Sequence, residues 1–151
     1  MKMPSAKYMT LALEEARAAG DRGEVPVGAV IVSATGHIIA SNGNRSMEHR
    51  DPTAHAEMLA IRDATCEFGD GRLEDCDLFV TLEPCAMCAA AISFARIRRL
   101  FFGAYDPKGG GVDHGARVFD HSTCHHRPEV IGGLMEAEAA DLMRKFFQER
   151  R

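Results

Sequence analysis

A chain of 151 residues that is 46% hydrophobic and 26% charged has enough apolar material for one buried core, and no stretch of it is long and apolar enough to span a membrane. Five cysteines, an odd number with two in a Cys-x-x-Cys, argue for reduced thiols and a cytoplasmic protein over a disulfide scaffold. The net charge of −4 weighs against a nucleic-acid partner, but residues 1–95 carry 8 Lys and Arg against 14 Asp and Glu while residues 96–151 carry 10 against 8, so the C-terminal part can present a basic surface.

Taken in order, Met1-Lys2-Met3-Pro4-Ser5 has no apolar signal core. Pro4 to Ala19 reads as a helix with Tyr8, Leu11, Ala12, Ala16 and Ala19 on one stripe and Gly20 as its stop. Val27 to Val32 and His37 to Ala40 read as strands about a Ser33–Gly36 turn, and Asn42-Gly43-Asn44 as a polar loop. A second helix starts at Asp51-Pro52, an N-cap and a proline, carries Leu59 and Ile61, and fades near Gly69. Cys76 to Leu82 is a third strand that runs into Pro84 and an alanine-rich helix. Arg99 to Gly103 is a fourth strand and ends in a glycine loop, 106–111, that lacks the Lys-Ser/Thr of a phosphate loop. Residues 112–128 hold four of the seven histidines without a clear element. Glu129 to Ile131 reads as a short fifth strand, and Leu134 to Gln148 as an amphipathic helix with Met135, Leu142 and Phe146 on its apolar side. The alternation of helices and strands, with no repeat or linker, predicts one α/β domain over 1–151.

The chemistry concentrates between His55 and Cys88. Cys85 and Cys88 are three apart, so on a helix they share a face and can share an ion. Pro84 suits the first helical position, and a helix N-terminus favours the thiolates that bind metal. His55 and Glu57 fall in the opening turns of the second helix. Residues two apart diverge there, so the division is His55 on the metal and Glu57 on its water. Three protein ligands leave one position open for that water, and soft sulfur ligands favour zinc. A structural zinc site wants four protein ligands, and no second Cys-x-x-Cys or finger-spaced His pair is offered. A redox Cys-x-x-Cys leaves His55 and Glu57 unexplained. Cys124-His125-His126 is a poor second metal site, because adjacent residues rarely converge on one ion. Cys66 and Cys76 read as buried thiols, and the methionines as core filler. Phe146 and Phe147 point about 100° apart on a helix, so one enters the core and Phe147 is left to stack on a base.

His55-Ala56-Glu57 with Pro84-Cys85-Ala86-Met87-Cys88 resembles the zinc nucleobase deaminases. Val25–Val30, Asp51–Glu57, Thr81–Cys88, Arg96–Arg99, Gly103–Lys108 and Phe146–Arg151 together resemble the bacterial tRNA-specific adenosine deaminases of the cytidine/deoxycytidylate deaminase superfamily. The resemblance implies a three-layer α/β/α cytidine-deaminase-like fold with a mixed five-stranded sheet. It implies one Zn2+ per subunit on His55, Cys85 and Cys88, with Glu57 as the proton shuttle. The implied reaction is hydrolytic deamination of adenosine to inosine at wobble position 34 of a tRNA. It further implies substrate contacts at Asn44, Ala56, Asp106, Lys108, Phe147 and Arg150, an anticodon loop as partner, and a homodimer. From composition alone Asn44 is a loop or capping residue, and Asp106 and Lys108 are turn residues beside Pro107. A deaminase of free guanine, cytosine or deoxycytidylate shares the core motif and stays open, as does a zinc-stabilised binding module, against which Glu57 argues.

Overall fold

The computed structural model describes residues 5–67 and 70–150. Pro4, Gly69 and Arg151, each named in a sequence-based expectation, lie outside them. The elements are α1 (Ser5–Asp21), β1 (Gly28–Val32), β2 (Ile38–Gly43), α2 (Ala56–Glu67), β3 (Asp77–Leu82), α3 (Ala86–Ala95), β4 (Arg99–Ala104), a short 3-10 turn at Val118–Asp120, β5 (Glu129–Ile131) and α4 (Glu136–Glu149). No helix among the described residues is long and apolar enough to cross a membrane.

The five strands form one mixed sheet, as the resemblance implies, and their order is β2-β1-β3-β4-β5. β1 runs antiparallel to both β2 and β3, whereas β3, β4 and β5 are parallel. Successive side chains point to opposite faces. Ala29, Ile31, Leu78, Val80, Leu100 and Phe102 therefore pack with Ala56, Ala60 and Ala64 of α2 and Ala89 and Ile92 of α3. Val30, Val32, Phe79 and Phe101 pack on the other face with Tyr8, Met9, Ala12 and Leu13 of α1 and Ala139 of α4. Helices on both faces explain why β1 is apolar throughout: every residue from Gly28 to Val32 is buried. Gly28 lets α1 lie directly on this strand, because a Cβ there would collide with Ala12 O and with Ala16 N.

Several boundaries differ from the sequence reading. α1 passes through Gly20 to Asp21, and the stop is Gly23, at φ 89°, after which the Glu24 N–H returns to Ala19 O. β2 extends to Gly43 because the ladder with β1 continues to the Gly28–Gly43 pair. Asp51-Pro52 does not open α2. The Asp51 carboxylate accepts the Thr53 N–H and hydroxyl in a local turn, and the helix begins at Ala56. Pro84 likewise precedes α3, whose N-cap is Cys85. The segment 112–128 folds back over α3: His126 donates its N–H to Ser93 Oγ at 2.9 Å, and its Nε2 lies 2.8 Å from Ile97 O. Cys66 is exposed, not buried, because it falls off the Ala56-Ala60-Ala64 stripe at the end of α2. Met47 is 73% exposed and fills no core.

Pairing brings the ends that matter together. Gly28 sits beside Gly43, Ala29 beside Val80, and Leu82 beside Ala104. The entry to β1 and the exits of β2, β3 and β4 therefore lie along one edge of the sheet.

The opposite edge is held by charge. Asp77, 4% exposed, accepts from Arg98 Nε at 3.1 Å, from Arg98 Nη2 at 2.9 Å and from Arg99 Nη2. Burial raises its pKa, but the two guanidinium groups outweigh burial and hold the carboxyl below its ordinary value. The folded pKa being depressed, its contribution is fully present above the unfolded carboxylate pKa near 4 and is lost as pH falls through the folded value. Asp77→Asn is expected to cost about 2 kcal/mol at pH 7. Urea titrations across pH should show that deficit shrinking below about pH 4; a deficit independent of pH would assign the loss to packing instead.

Candidate metal centre and cavity

α2 and α3 both start at the edge where the strand ends meet. His55 is the residue before α2, and Cys85 and Cys88 are the N-cap and third residue of α3. His55 Nδ1 lies 3.6 Å from Cys85 Sγ and 3.6 Å from Cys88 Sγ. The three ligand atoms lie within 4.8 Å of one another, and they are the only such group among the described residues. A tetrahedral zinc with Zn–S of about 2.3 Å and Zn–N of about 2.0–2.1 Å separates nitrogen from sulfur by about 3.6 Å. The donor set and its spacing fit that ion.

The electrostatics fit as well. The S–H of Cys88 hydrogen-bonds to the Cys85 sulfur and, against the opposing effect of burial and with help from His55, brings the Cys85 thiol down to about 4. Cys88 is pushed strongly upward as the donor of that bond and by its burial. The hydrogen bond to Cys85 raises His55, and burial opposes it. Cys85 is thus the thiolate of the pair and Cys88 keeps its proton, which binding a metal ion would release.

A cavity of about 310 Å³ opens beside these ligands, lined by Val25, Val27, Asn44, Ser46, His55, Glu57, Leu82, Glu83, Cys85, Asp106 and Gly109. Glu57 is 4% exposed, and burial raises its carboxyl to about 7, with the nearby Cys85 charge adding to the rise. A carboxyl that titrates there can take up and give back a proton at neutral pH.

Asn44 does two things at once. Its Oδ1 accepts the Ala56 N–H at 2.7 Å, capping α2, so the amide must present its NH2 as the remaining donor. Arg22 Nη2 donates to the Asn44 carbonyl at 3.0 Å and steadies the loop. Asp106 lines the cavity, and its Oδ1 accepts the N–H groups of Lys108 and Gly109.

His55, Glu57, Cys85, Asn44 and Asp106 therefore meet at one cavity, with Cys88 in the ligand cluster. Ala56 is fully buried with its N–H spent on Asn44, and neither it nor Lys108, Phe147 or Arg150 lines the cavity. Lys108 is exposed. On α4, Phe146 is buried and Phe147 is 48% exposed, the split expected of neighbours on a helix, and the Arg150 guanidinium lies 3.6 Å from the Phe146 ring centre.

Glu83 was missed as a site residue. Buried, with Oε1 2.8 Å from His114 Nδ1, it accepts the N–H groups of Asp106, Val112, Asp113 and His114. Burial raises its carboxyl, but these donors together hold it below its ordinary range. The available signal was a lone acid between Leu82 and Pro84, at the mouth of a buried strand.

Residues 3–104 match the family model of the cytidine and deoxycytidylate deaminase zinc-binding region. A tRNA-specific adenosine deaminase of Agrobacterium fabrum is 59% identical over 144 residues, which cover 95% of this chain and 94% of that protein. The tRNA-specific adenosine deaminase of Bacillus subtilis is 42% identical over 95% of this chain and 89% of its own. A structure solved in a study of A-to-I editing by tRNA:A34 deaminases at the wobble position of transfer RNA superposes with a TM-score of 0.88 at 59% identity, covering 90% of this chain and 98% of that one.

His55→Ala, Cys85→Ala and Cys88→Ala should each lower bound zinc well below one per chain, read by elemental analysis of the purified protein. Full zinc occupancy in Cys88→Ala would move the ion away from this cluster.

Proposed function

Because this chain belongs to the cytidine and deoxycytidylate deaminase family, and within it to the tRNA-specific adenosine deaminases, we propose that its cavity takes the wobble adenosine, position 34, of a tRNA and converts it to inosine. The observation that carries the reading is Glu57, a buried carboxyl that lines the same cavity as His55 and Cys85. A structural metal site has no use for such a group.

His55, Cys85 and Cys88 hold the zinc, which when bound supplies the Lewis acidity that lets water act as a nucleophile at neutral pH. The overall change is addition of water at C6 of the adenine and loss of ammonia. Glu57 takes one proton from the water as its oxygen adds to C6 and passes it to N1 of the ring; it then takes the proton of the new C6 hydroxyl and gives it to the amine, which leaves as ammonia while the C6 oxygen becomes the carbonyl. Burial keeps Glu57 close to neutrality, so it can serve as base and acid in one turnover. Asn44, with its oxygen fixed by the Ala56 N–H, offers its NH2 to an acceptor on the nucleotide. The cavity, about 310 Å³, is of a size for one nucleoside and not for a stacked duplex, which suits a base turned out of a single-stranded loop.

Asp106 lines the cavity itself, and we place the rest of the anticodon loop outside it, on Lys108 beside that wall and on α4. Phe147 offers an exposed ring for stacking, and Arg150 offers charge for phosphate. Ala56 contributes through its N–H, by orienting Asn44. We read the whole chain, 1–151, as one catalytic domain, since a single sheet gathers elements from Ser5 to Glu149. A homodimer in the cytoplasm completes the proposal. Supporting it are the exposed Phe94 ring on the alanine-rich α3 and five cysteines that are all free thiols.

The test is inosine formation on an anticodon stem-loop carrying a wobble adenosine, with guanine, cytosine, cytidine and deoxycytidylate in parallel. Inosine from the stem-loop alone is expected. Ammonia from a free base or nucleotide, with the RNA untouched, would keep the deaminase chemistry and overturn the tRNA substrate. Glu57→Gln should hold its zinc and lose on the order of 10²–10⁴-fold in kcat; a zinc-replete variant at wild-type rate would remove Glu57 from the mechanism.

A further inference from the structure

The proposed chemistry leaves two buried carboxylates beside the cavity unused, Glu24 and Glu83, at 3% and 2% exposure. Each is tied to the main chain of a loop that forms a wall. Glu24 accepts the N–H groups of Met47 and Glu48 at 3.1 and 2.9 Å, just past Asn44 and Ser46. Glu83 does far more. Its Oε1 accepts the Asp106 N–H at 3.0 Å and lies 2.8 Å from His114 Nδ1. Its Oε2 accepts the N–H groups of Val112, Asp113 and His114 at 3.2, 2.9 and 3.1 Å.

All five donors come from one loop, 106–114. A carboxylate has about four lone-pair sites, so this loop saturates it. No lysine or arginine among the described residues pairs with Glu83; main-chain N–H groups and one imidazole take up its charge, in bonds stronger than neutral ones. The loop is closed tightly over it. A Cβ on Gly110 would overlap Glu83 Oε2 and Asp106 O, and the Gly111 N–H reaches Pro84 O at 2.7 Å. The same loop supplies Asp106 and Gly109 to the cavity.

We infer that Glu83 is a positioning residue for the substrate: it draws loop 106–114 inward and thereby sets where the Asp106 side chain stands against the bound nucleotide. The inference rests on the reading of the cavity as a nucleotide site. Glu83 touches no reacting atom in this arrangement; it acts through Asp106. His114 is its partner, holding the far end of the loop on the same carboxylate.

Glu83→Gln keeps the shape and replaces one acceptor oxygen with an NH2 that cannot accept, so the bonds on that side are lost. On the stem-loop, kcat/KM is expected to fall roughly 10- to 100-fold, mostly through KM, because misplacing a binding group by an ångström has effects of that order. Zinc should stay at one per chain. Amide exchange should accelerate at 106 and 112–114 and stay unchanged in β1 and β3. Combined with Asp106→Ala, the double variant should be no worse than the weaker single, because both changes remove the same contact. Should Glu83→Gln fail to fold, His114→Ala removes only one of the five bonds; a several-fold rise in KM, again non-additive with Asp106→Ala, is then expected. Wild-type KM in zinc-replete Glu83→Gln or His114→Ala, or losses that multiply with those of Asp106→Ala, would overturn the inference. A wild-type protein silent on the stem-loop overturns the substrate reading instead, and the exchange comparison then decides whether Glu83 holds the loop.

Discussion

Two helices start side by side at one edge of the sheet, and the site depends on that placement. His55 stands before α2 and Cys85 caps α3, so the ligand atoms converge at the positive ends of both helix dipoles. That field favours thiolates and, by the same sign, anionic groups generally. The sheet makes the convergence possible: β1 antiparallel and β4 parallel to β3 put four strand termini along one line. The alanines of α2 and α3, packed on Ala29, Leu78 and Val80, let both helices lie close enough for their ends to meet.

Much of this was legible in the residues, though partly for imperfect reasons. The rule that residues two apart on a helix diverge set Glu57 apart from His55, which clusters with Cys85 and Cys88, yet His55 lies outside the helix and the divergence arises at its boundary. Pro84 reads as the first helical residue and lies two positions before it, which moves Cys85 to the cap. Adjacent phenylalanines on α4 split between core and solvent as a helix of 3.6 residues per turn requires. The failures have a common cause. Cys66 and Met47 were judged by residue type, whereas their exposure follows from where α2 ends and how the 44–50 loop is held. Glu83 was invisible as a hub because its partners are 23 to 31 residues away and the glycine loop that brings them back has no local periodicity to read.

The acidic balance of the chain also reads differently once folded. Glu24, Glu57, Asp77 and Glu83 are all buried, and three of them are spent on internal partners: loop N–H groups for Glu24 and Glu83, guanidinium groups for Asp77. Lys108, Arg144 and Arg150 remain on the surface with the exposed Phe147. A count of charges over the chain therefore overstates how acidic its outside is, and the composition-based argument against a polyanionic partner loses force.

Asn44 carries a consequence for what variation the position can absorb. Its oxygen is committed to the first amide of α2, and the residue lines the cavity with its NH2 as the donor left over. Aspartate would keep the cap and turn a second oxygen toward the ligand; serine would keep a weaker cap and fall short of the cavity; leucine would abandon both. No other side chain of this length joins an acceptor to a donor on one planar group, so two demands that separate positions usually answer converge on one codon. The start of α2 and the lining of the cavity cannot drift independently there.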